Sequence, residues 1–384
     1  MRISLSLRQR FLLILLTIVT ILGICISATF SARHAAHAAS TSSSATVYVG
    51  SFDANVYALN ATTGALRWKF QTGDAVETSP KVANGIVYAG SDDHYVYALN
   101  ATNGALIWKF KTGWAIQSSP TIVNNLLYIG SNDGYVYAIK AGTGTLQWRY
   151  YVGTGSSSTT VVNGVVYFAT YFVSSSSRSG YVYALNASNG TLVWRYLMVS
   201  TGDASKPNVV NNIVYVGSYD GYVYALKAND GSLVWRKVLP GTFAFYNSPA
   251  VANGKVYVDV NLNGGSGSPT PGIYALDALT GAIIWRQSGD GLSGATFANG
   301  LVYAPIIIGS YGYLDALYAG TGQLKWQAKG TYSSPSTVSN GILYVGSAPF
   351  SGNPIYVNAF DATTGIFKWR YSIGGEVVDA PTVG

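Results

Sequence analysis

Hydrophobic and polar positions alternate with a period of two along most of the chain, in short runs. In one stretch the runs are IVYAGS (86–91), YVYALN (95–100) and ALIWKF (105–110), and Gly-, Asn- and Asp-rich turns lie between them. This alternation predicts β-strands, and such turns are typical of hairpins. A further short run, as in SSPTIV (118–123), precedes the other three, so the pattern predicts units of four strands.

Each unit carries an element of the form Ala-x-x-Ala-x-x-Gly-x-x-x-Trp. The element returns every 40 to 50 residues, a period that indicates a repeat architecture such as a β-propeller. The eight copies are Ala58–Trp68, Ala98–Trp108, Ala138–Trp148, Ala184–Trp194, Ala225–Trp235, Ala275–Trp285, Ala316–Trp326 and Ala359–Trp369.

The two ends of the repeat region complement each other. ATVYVGS (45–51) is a second strand with no first strand before it, whereas VVDAPTVG (377–384) is a first strand with no second strand after it. We therefore expect the C-terminal strand to complete the first blade, which leaves no open sheet edge in the ring. The predicted fold is all-β: an eight-bladed propeller of four-stranded antiparallel blades over residues 45–384.

The repeated residues have structural explanations. The glycine allows a tight turn with positive φ, and the alanines permit close approach of neighbouring sheets. We expect each tryptophan to fill the space between adjacent blades and to bury roughly 200 Å². An exposed ligand platform is the alternative, but eight copies at one register favour packing.

A basic residue follows the tryptophan in seven blades. We interpret it as charge on the outer edge of each blade, which discourages edge-to-edge aggregation; a positive belt for anionic polymers or lipid head groups is the alternative. The seven are Lys69, Lys109, Arg149, Arg195, Arg236, Arg286 and Arg370, and Gln327 is the exception.

The first 38 residues are predicted to be a signal peptide. MRISLSLRQR is basic, residues 11–30 are uncharged and largely apolar, and Ala36–Ala38 offers small residues before a cleavage site. Residues 39–44 form a Ser-rich linker to the propeller. Because about 20 apolar residues can span a bilayer, an uncleaved membrane anchor is the alternative. A lipid anchor on Cys25 is disfavoured because Ile24 precedes it, where a small residue is required.

Composition excludes several functions. Four of the 23 basic residues lie in the first 40 positions, which leaves 19 basic against 16 acidic residues and no reason to expect nucleic acid. The exported part has no cysteine, so it contains neither a disulfide nor a thiolate metal site. His94 is its one histidine, and a Ser-His-Asp triad or a histidine metal site is not readily assembled.

The repeated element resembles the tryptophan-docking motif of PQQ-repeat (quinoprotein-like) eight-bladed propellers, over about residues 45–384. One branch of that family implies dehydrogenases that hold pyrroloquinoline quinone and Ca²⁺ on the propeller axis, with Glu, Asn and Asp ligands and, in the methanol-dehydrogenase type, a vicinal disulfide. The other branch implies BamB-type scaffold lipoproteins that bind partners and catalyse nothing. The absence of exported cysteine departs from the first pattern, and the missing lipobox departs from the second.

A few acidic residues break the local repeat and are candidate cofactor ligands. Asp290, Asp315 and Asp379 are the carboxylates that do so. Six blades have Tyr before the first alanine of the motif, whereas the seventh and eighth have Asp315 and Asn358. Two polar departures in adjacent blades predict either a small site or tolerated sequence drift.

Irregular segments mark the expected binding face. Loops after the second and fourth strands lie on one face, and segments 171–180, 261–272 and 348–354 there depart from the repeat. Loops on rigid scaffolds carry recognition, and aromatic residues are favoured there. Our candidate partner-binding residues are Trp114, Phe243, Phe245 and Tyr246; the alternative is that they fold back onto the blade ends.

The sequence therefore predicts an extracytoplasmic, cell-envelope propeller that acts as a non-catalytic scaffold, more in keeping with a binding protein than with an enzyme. We expect a monomer whose partner is a protein or an envelope polymer, which contacts membrane only through an uncleaved N-terminal segment. No cofactor is expected. The alternatives are a quinone-dependent oxidoreductase holding PQQ with Ca²⁺, and a carbohydrate or cell-wall-polymer binder.

Overall fold

The computed structural model describes residues 45–153, 155–173, 178–199, 204–218, 221–239, 247–260, 271–291, 293–309, 311–347 and 354–384. They form one compact unit, Ala45–Gly384. The secondary structure of these residues is β-strand and turn, with no helix, and none of their elements is a candidate membrane span. The predicted signal peptide or anchor at 1–38 and the linker at 39–44 lie outside the described residues.

In each of the first four blades the strands are paired in sequence order, from the short inner strand at the axis to the outer edge strand. In blade 1 the inner strand comes from the C-terminus. Blade 1 contains β1 (Thr46–Ser51), β2 (Asn55–Asn60) and β3 (Leu66–Gln71), and blade 2 contains β4 (Lys81–Ala83), β5 (Ile86–Gly90), β6 (Tyr95–Asn100) and β7 (Leu106–Lys111). Blade 3 contains β8 (Thr121–Val123), β9 (Leu126–Gly130), β10 (Tyr135–Lys140) and β11 (Leu146–Tyr151). Blade 4 contains β12 (Thr160–Val162), β13 (Val165–Val173), β14 (Arg178–Asn186) and β15 (Leu192–Leu197).

The second four blades repeat this order. Blade 5 contains β16 (Asn208–Val210), β17 (Ile213–Gly217), β18 (Tyr222–Lys227) and β19 (Leu233–Val238), and blade 6 contains β20 (Ala250–Ala252), β21 (Lys255–Val260), β22 (Gly272–Asp277) and β23 (Ile283–Ser288). Blade 7 has five strands: β24 (Asp290–Gly291), β25 (Thr296–Ala298), β26 (Leu301–Ile308), β27 (Tyr311–Tyr318) and β28 (Leu324–Lys329). Blade 8 contains β29 (Thr337–Ser339), β30 (Ile342–Gly346), β31 (Ile355–Asp361) and β32 (Phe367–Ile373).

The C-terminal strand β33 (Thr382–Val383) closes the ring. It pairs antiparallel with β1, with Val47 opposite Val383 and Tyr48 opposite Thr382. The fourth strand of blade 1 therefore comes from the far end of the chain, as the sequence predicted, and the fold class is confirmed. The short inner strands of successive blades lie side by side around the axis.

The core lies between blades. The second and third strands of each blade are largely buried on both faces, as in β2. The outer strands are mostly exposed; in β3, Trp68 is the buried residue and Phe70 is partly buried. Each of the eight hydrophobic clusters joins residues of two neighbouring blades. Burial of these faces is the dominant stabilising term.

The repeated element forms a contact between each blade and the next. Nε1 of Trp68 donates to the carbonyl oxygen of Ala101 in blade 2 at 2.9 Å, and Tyr48 Oη donates to the same oxygen. A Cβ on Gly104, which has φ +75°, would lie 2.7 Å from the Trp68 ring, so only glycine fits there. The other seven tryptophan Nε1 donors bind Ala141, Ala187, Ala228, Ala278, Ala319, Ala362 and Ala61.

Two hairpins are longer than the repeat. The sequence predicted a loop at 171–180, but β13 continues to Val173 and β14 begins at Arg178. Tyr, Phe and Val in this segment favour strand, so the paired ladder continues beyond the usual hairpin turn. Blade 7 has the same kind of extension in β26 and β27.

Candidate functional site

A cavity of about 790 Å³ lies on the propeller axis. Its wall is built from the segments that lead into the inner strands of all eight blades, so residues distant in sequence meet there. Most of the described lining residues carry small polar or apolar side chains, and the charged ones among them are Glu77, Lys81, Lys206 and Asp379.

Asp379 is bound by neighbouring blades. Its carboxylate accepts hydrogen bonds from Ser119 Oγ and, at 3.0 Å, from the backbone N–H of Ser79. Its other oxygen accepts from the backbone N–H of Ala380 at 2.7 Å, and Ser79 Oγ donates to the Ala380 carbonyl oxygen at 2.6 Å. These contacts join blades 1, 2 and 3, so we assign Asp379 a structural role: it links three blades at the point where the ring closes.

Two lysines extend from the same wall. Lys81 is the first residue of β4, and its Nζ lies 3.4 Å from Thr382 Oγ1. Burial lowers the pKa of Lys81, and the Asp379 carboxylate opposes this effect. Burial, followed by repulsion from the Lys81 ammonium, lowers the pKa of Lys206 to about 8, again opposed by Asp379. The two lysines and Asp379 therefore interact electrostatically across the axis.

An acidic pair lies where the wall meets the entry loops of blades 2 and 3. Burial raises the pKa of Glu77, and the neighbouring Asp92 carboxylate adds to the effect. Burial likewise raises the pKa of Asp92. Gln117 contacts both carboxyl groups and accepts a hydrogen bond from Asn132 Nδ2 at 2.9 Å. This pair therefore carries less negative charge at neutral pH than two exposed carboxylates would.

Trp114 is exposed on the face that bears the entry loops. Its side chain is 61% exposed, and its ring stacks on His94 with the centroids 6.2 Å apart. Its carbonyl oxygen accepts hydrogen bonds from Thr112 Oγ1 at 2.8 Å and Ser131 Oγ at 3.1 Å. The structure thus holds the backbone firmly while it presents the indole to solvent. Phe243, Phe245 and Tyr246 lie outside the described residues.

Asp315 and Asn358 lie away from the axial cavity, in the third strands of blades 7 and 8. Asp315 is buried and faces Gln327 across the strand pair, and Gln327 Nε2 donates to its Oδ1 at 2.8 Å. In the other blades this cross-strand position pairs a basic residue with Tyr or, in blade 8, with Asn358. Asp315 and Gln327, the two departures from the repeat in blade 7, are therefore cross-strand partners that replace the usual Tyr and basic residue together.

Six of the seven basic residues that follow the tryptophans lie over aromatic rings. The guanidinium carbon of Arg149 lies 4.6 Å from the centroid of the Tyr135 ring, and Lys109 Nζ lies 4.3 Å from that of Tyr95. Arg195, Arg236, Arg286 and Arg370 also lie over tyrosine rings. A cation–π contact stabilises such a pair by about 0.5–1 kcal/mol at an exposed site, which gives this row of charges a structural role.

Asp315 gives the protein a predictable pH dependence. Burial raises its pKa to about 6, with the Gln327 hydrogen bond opposing, so ionisation destabilises the folded state as pH rises from about 4 to 6. We expect the free energy of unfolding of Asp315→Asn, relative to the wild type, to increase by about 2 kcal/mol between pH 4 and pH 7. Urea denaturation at both pH values measures this difference.

The matched control is Asp361→Asn. Hydrogen bonds from Thr364 lower the pKa of the partly exposed Asp361, so its stabilising effect is present at neutral pH and is lost as the pH falls. The control variant should therefore change in the opposite sense. Parallel pH profiles for wild type and Asp315→Asn would contradict the prediction.

The described residues do not supply the calcium donor set that a quinoprotein site implies. They contain no group of three or more His, Cys, Asp or Glu side chains placed to hold a metal ion. Asp379, a carboxylate candidate that lies on the cavity wall, has both oxygens engaged by hydrogen bonds. Asp290 is in β24 of blade 7, and Asp315 is buried away from the axis.

These observations define a protein of the PQQ-repeat propeller class with a polar axial cavity. The chain matches, over residues 27–174 and 178–334, the family model described as outer membrane protein assembly factor BamB, and it belongs to that family. No curated protein matches the sequence closely enough to count as a relative.

Solved structures with the same fold have different functions. BamB from Moraxella catarrhalis is 19% identical, with a TM-score of 0.61 over 78% of this chain and 88% of that one. The quinohemoprotein alcohol dehydrogenase ADHIIG from Pseudomonas putida HK5 is 18% identical, with a TM-score of 0.63 over 83% of this chain and 69% of that one. The computationally designed Ika8 protein is 18% identical, with a TM-score of 0.62 over 79% of this chain and 89% of that one. At these identities the likeness establishes the fold alone.

The sequence analysis named Asp379 as a candidate cofactor ligand and Trp114 as a candidate partner-binding residue, but it overlooked Lys81, Lys206 and Glu77. A signal for the lysines was present in the repeat. Aligned on the inner strands, Lys81 occupies a position that is Thr in five other blades, and Lys206 occupies one that is Ser in four. A comparison of the short entry segments would have found both.

Proposed function

We propose that the protein is a non-catalytic binding scaffold of the cell envelope, positioned outside the cytoplasm, and that its partner is another protein. The observation that carries the proposal is Trp114, a large aromatic side chain held in the open by a rigid loop. Tryptophan is favoured at binding hot spots because it offers a wide apolar surface at low entropic cost. Membership of the BamB-described family supports this role and the extracytoplasmic location.

The fold does not require tryptophan at this position. The same loop in the preceding blade carries Asp74, whose carbonyl oxygen accepts equivalent hydrogen bonds from Thr72 Oγ1 at 2.7 Å and Ser91 Oγ at 3.0 Å. Two loops of one conformation thus carry an acidic residue in one case and an exposed indole in the other. Because the loop conformation does not need the indole, which is largely exposed beside its stacking contact with His94, recognition is the explanation we favour.

The test is partner capture by a variant that preserves the loop. Trp114→Asp installs the residue that the neighbouring loop already carries, so its melting temperature should match that of the wild type. We expect cross-linking and affinity capture from an envelope extract to recover a discrete protein with the wild type, and at least tenfold less with the variant. The control is Ile366→Ser, which changes a 67% exposed side chain next to Gly365 of the repeated element in blade 8. This variant should capture as much of the partner protein as the wild type does.

Equal capture by Trp114→Asp and the wild type would contradict the proposal. Retention of both proteins on peptidoglycan or polysaccharide, with no protein partner, would instead favour the envelope-polymer alternative. If Trp114→Asp unfolded at a lower temperature, the indole would be assigned to packing.

Quinone-dependent oxidation is the competing proposal, and calorimetry separates the two. The titration uses pyrroloquinoline quinone with and without Ca²⁺. We expect no binding that depends on Ca²⁺, because the described carboxylates are not grouped for a metal. Micromolar or tighter Ca²⁺-dependent binding would favour the dehydrogenase branch and lead to assays of alcohols and sugars with an artificial electron acceptor.

A further inference from the structure

The inner-strand entries form two rings of small side chains around the axis. At the first strand position, side chains donate across to a carbonyl oxygen of the next blade. Thr121 Oγ1 binds Thr159 O at 2.7 Å, Thr160 Oγ1 binds Pro207 O at 2.6 Å, and Thr296 Oγ1 binds Ser336 O at 2.8 Å. Two positions earlier, Ser79, Ser119, Ser158 and Ser248 supply hydroxyl groups. Small hydroxyl side chains at these positions are therefore sufficient to hydrogen-bond the inner strands of neighbouring blades to one another.

Lys81 and Lys206 depart from these two rings, one in blade 2 and one in blade 5. At other positions Thr donates to a carbonyl oxygen of the next blade, and Ser79 and Ser248 donate to one of the preceding blade. Neither lysine makes such a bond to a carbonyl oxygen within the described residues. Among the described residues, Nζ of Lys206 has no hydrogen-bond or ion-pair partner, and Nζ of Lys81 has the 3.4 Å contact with Thr382. Both lysines line the cavity and are partly exposed there. Because like charges repel, two ammonium groups that face one cavity with so few partners favour an anion bound between them.

The described part of the cavity wall supplies little negative charge to the two lysines. Asp379 is the carboxylate that acts on both lysines, but its oxygens accept hydrogen bonds from Ser79, Ser119 and Ala380. Glu77, at the loop end of the wall, is paired with Asp92, and burial favours the protonated form of its carboxyl group. Burial and Lys81 together hold the pKa of Lys206 at about 8. Each of these features indicates a deficit of negative charge around the lysines.

The rest of the wall favours a hydroxylated ligand. Asn208, Asn247, Thr170 and Gln117 offer amide and hydroxyl groups, and Phe297 is the one aromatic side chain among the described lining residues. Cavities of about 300–1,000 Å³ hold small-molecule ligands, and this one has about 790 Å³. A wall of this polarity suits a ligand that exchanges water for many hydrogen bonds rather than a flat apolar one.

We infer that the axial cavity is a binding site for a small polyhydroxylated anion, such as a sugar acid or a sugar phosphate, whose charged group is held between Lys81 and Lys206. Lysine binds both carboxylate and phosphate as a compact charge, so the two ligand sources share one recognition chemistry. The site is separate from Trp114 and does not depend on the scaffold function.

The test is calorimetric titration of the protein with galacturonate, glucose 6-phosphate, glucose and inorganic phosphate. We expect at least one of the two sugar anions to bind, with glucose at least tenfold weaker. The informative variants are Lys81→Thr and Lys206→Ser, which install residues that the rings carry in other blades. Each should weaken binding at least tenfold, and the double variant at least a hundredfold, without lowering the melting temperature. Lys368→Thr, which removes an exposed ion pair with Asp361, should bind normally.

The relative affinities of galacturonate and glucose 6-phosphate identify whether the charged group is a carboxylate or a phosphate. Three results would overturn the proposal: no binding of either sugar anion, undiminished binding by the double variant, or glucose binding as tightly as the sugar anions. Inorganic phosphate binding as tightly as glucose 6-phosphate would also overturn it, because the hydroxylated part of the ligand would then contribute nothing. A double variant that unfolded at a lower temperature would assign the lysines to stability instead.

Discussion

Deletion of Thr382–Gly384 is expected to open the ring and to cost about 4 kcal/mol or more of the free energy of unfolding. The deletion removes β33 and with it the backbone bonds from Thr46 N–H to Gly384 O at 2.8 Å and from Gly384 N–H to Thr46 O at 3.0 Å, besides the pairing with Tyr48 and Val47. Each lost bond of this kind costs about 1 kcal/mol, and more when the freed group is buried. Thermal and urea unfolding measure the loss.

The truncated protein should also self-associate, because β1 would present an unpaired edge to other molecules. Sedimentation or light scattering detects this. The control is a circular permutant in which Gly384 is linked to Ala45 and new ends are placed in the Asn124–Asn125 turn between β8 and β9. Its melting temperature should stay close to that of the wild type, since every blade keeps all of its strands. A truncated protein that stays monomeric with an unchanged melting temperature would show that closure by β33 is unimportant.

Trp108→Ala is expected to lower the free energy of unfolding by about 3–4 kcal/mol, the usual cost of truncating a large aromatic side chain in a packed interface. The indole Nε1 donates to Ala141 O at 2.9 Å, the ring lies 5.8 Å from the Tyr88 ring, and it covers Gly144 of the next blade. Urea denaturation measures the change. Trp114→Ala, which truncates a 61% exposed tryptophan six positions away, should change stability by less than about 0.5 kcal/mol.

The glycines of one turn provide a second check on this contact. Gly144 has φ +71°, and a Cβ there would lie 2.8 Å from Cδ2 of Trp108, whereas a Cβ on Gly142 would meet nothing within 4 Å. Gly144→Ala should therefore destabilise the protein by about 2 kcal/mol and Gly142→Ala by far less. Equal effects of the two glycine variants, or of Trp108→Ala and Trp114→Ala, would refute the assigned role of the interblade contact.

The repeat determined most of the architecture without reference to the structure. Period-two alternation and turn residues are local signals, and each of the eight units contains all of them, so a weak signal in one blade is corrected by the others. The unmatched second strand at 45–51 and first strand at 377–384 were enough to predict that β33 completes blade 1. Prediction failed where a unit departs from the repeat, as at 171–180, where a continued ladder replaced the expected loop.

The candidate site was decided by tertiary structure. Asp379 receives its hydrogen bonds from Ser79 and Ser119, which are 300 and 260 positions away along the chain. Lys81 and Lys206 come together only because the ring brings the inner strands of different blades to one axis. Asp315 and Gln327 were noted as separate exceptions, and their hydrogen bond shows them to be one pair. The sequence thus determined the blades, because strand and turn preferences act over a few residues. The axial site depended on the closed ring, because its charges lie on different repeats and interact only once the ring has folded.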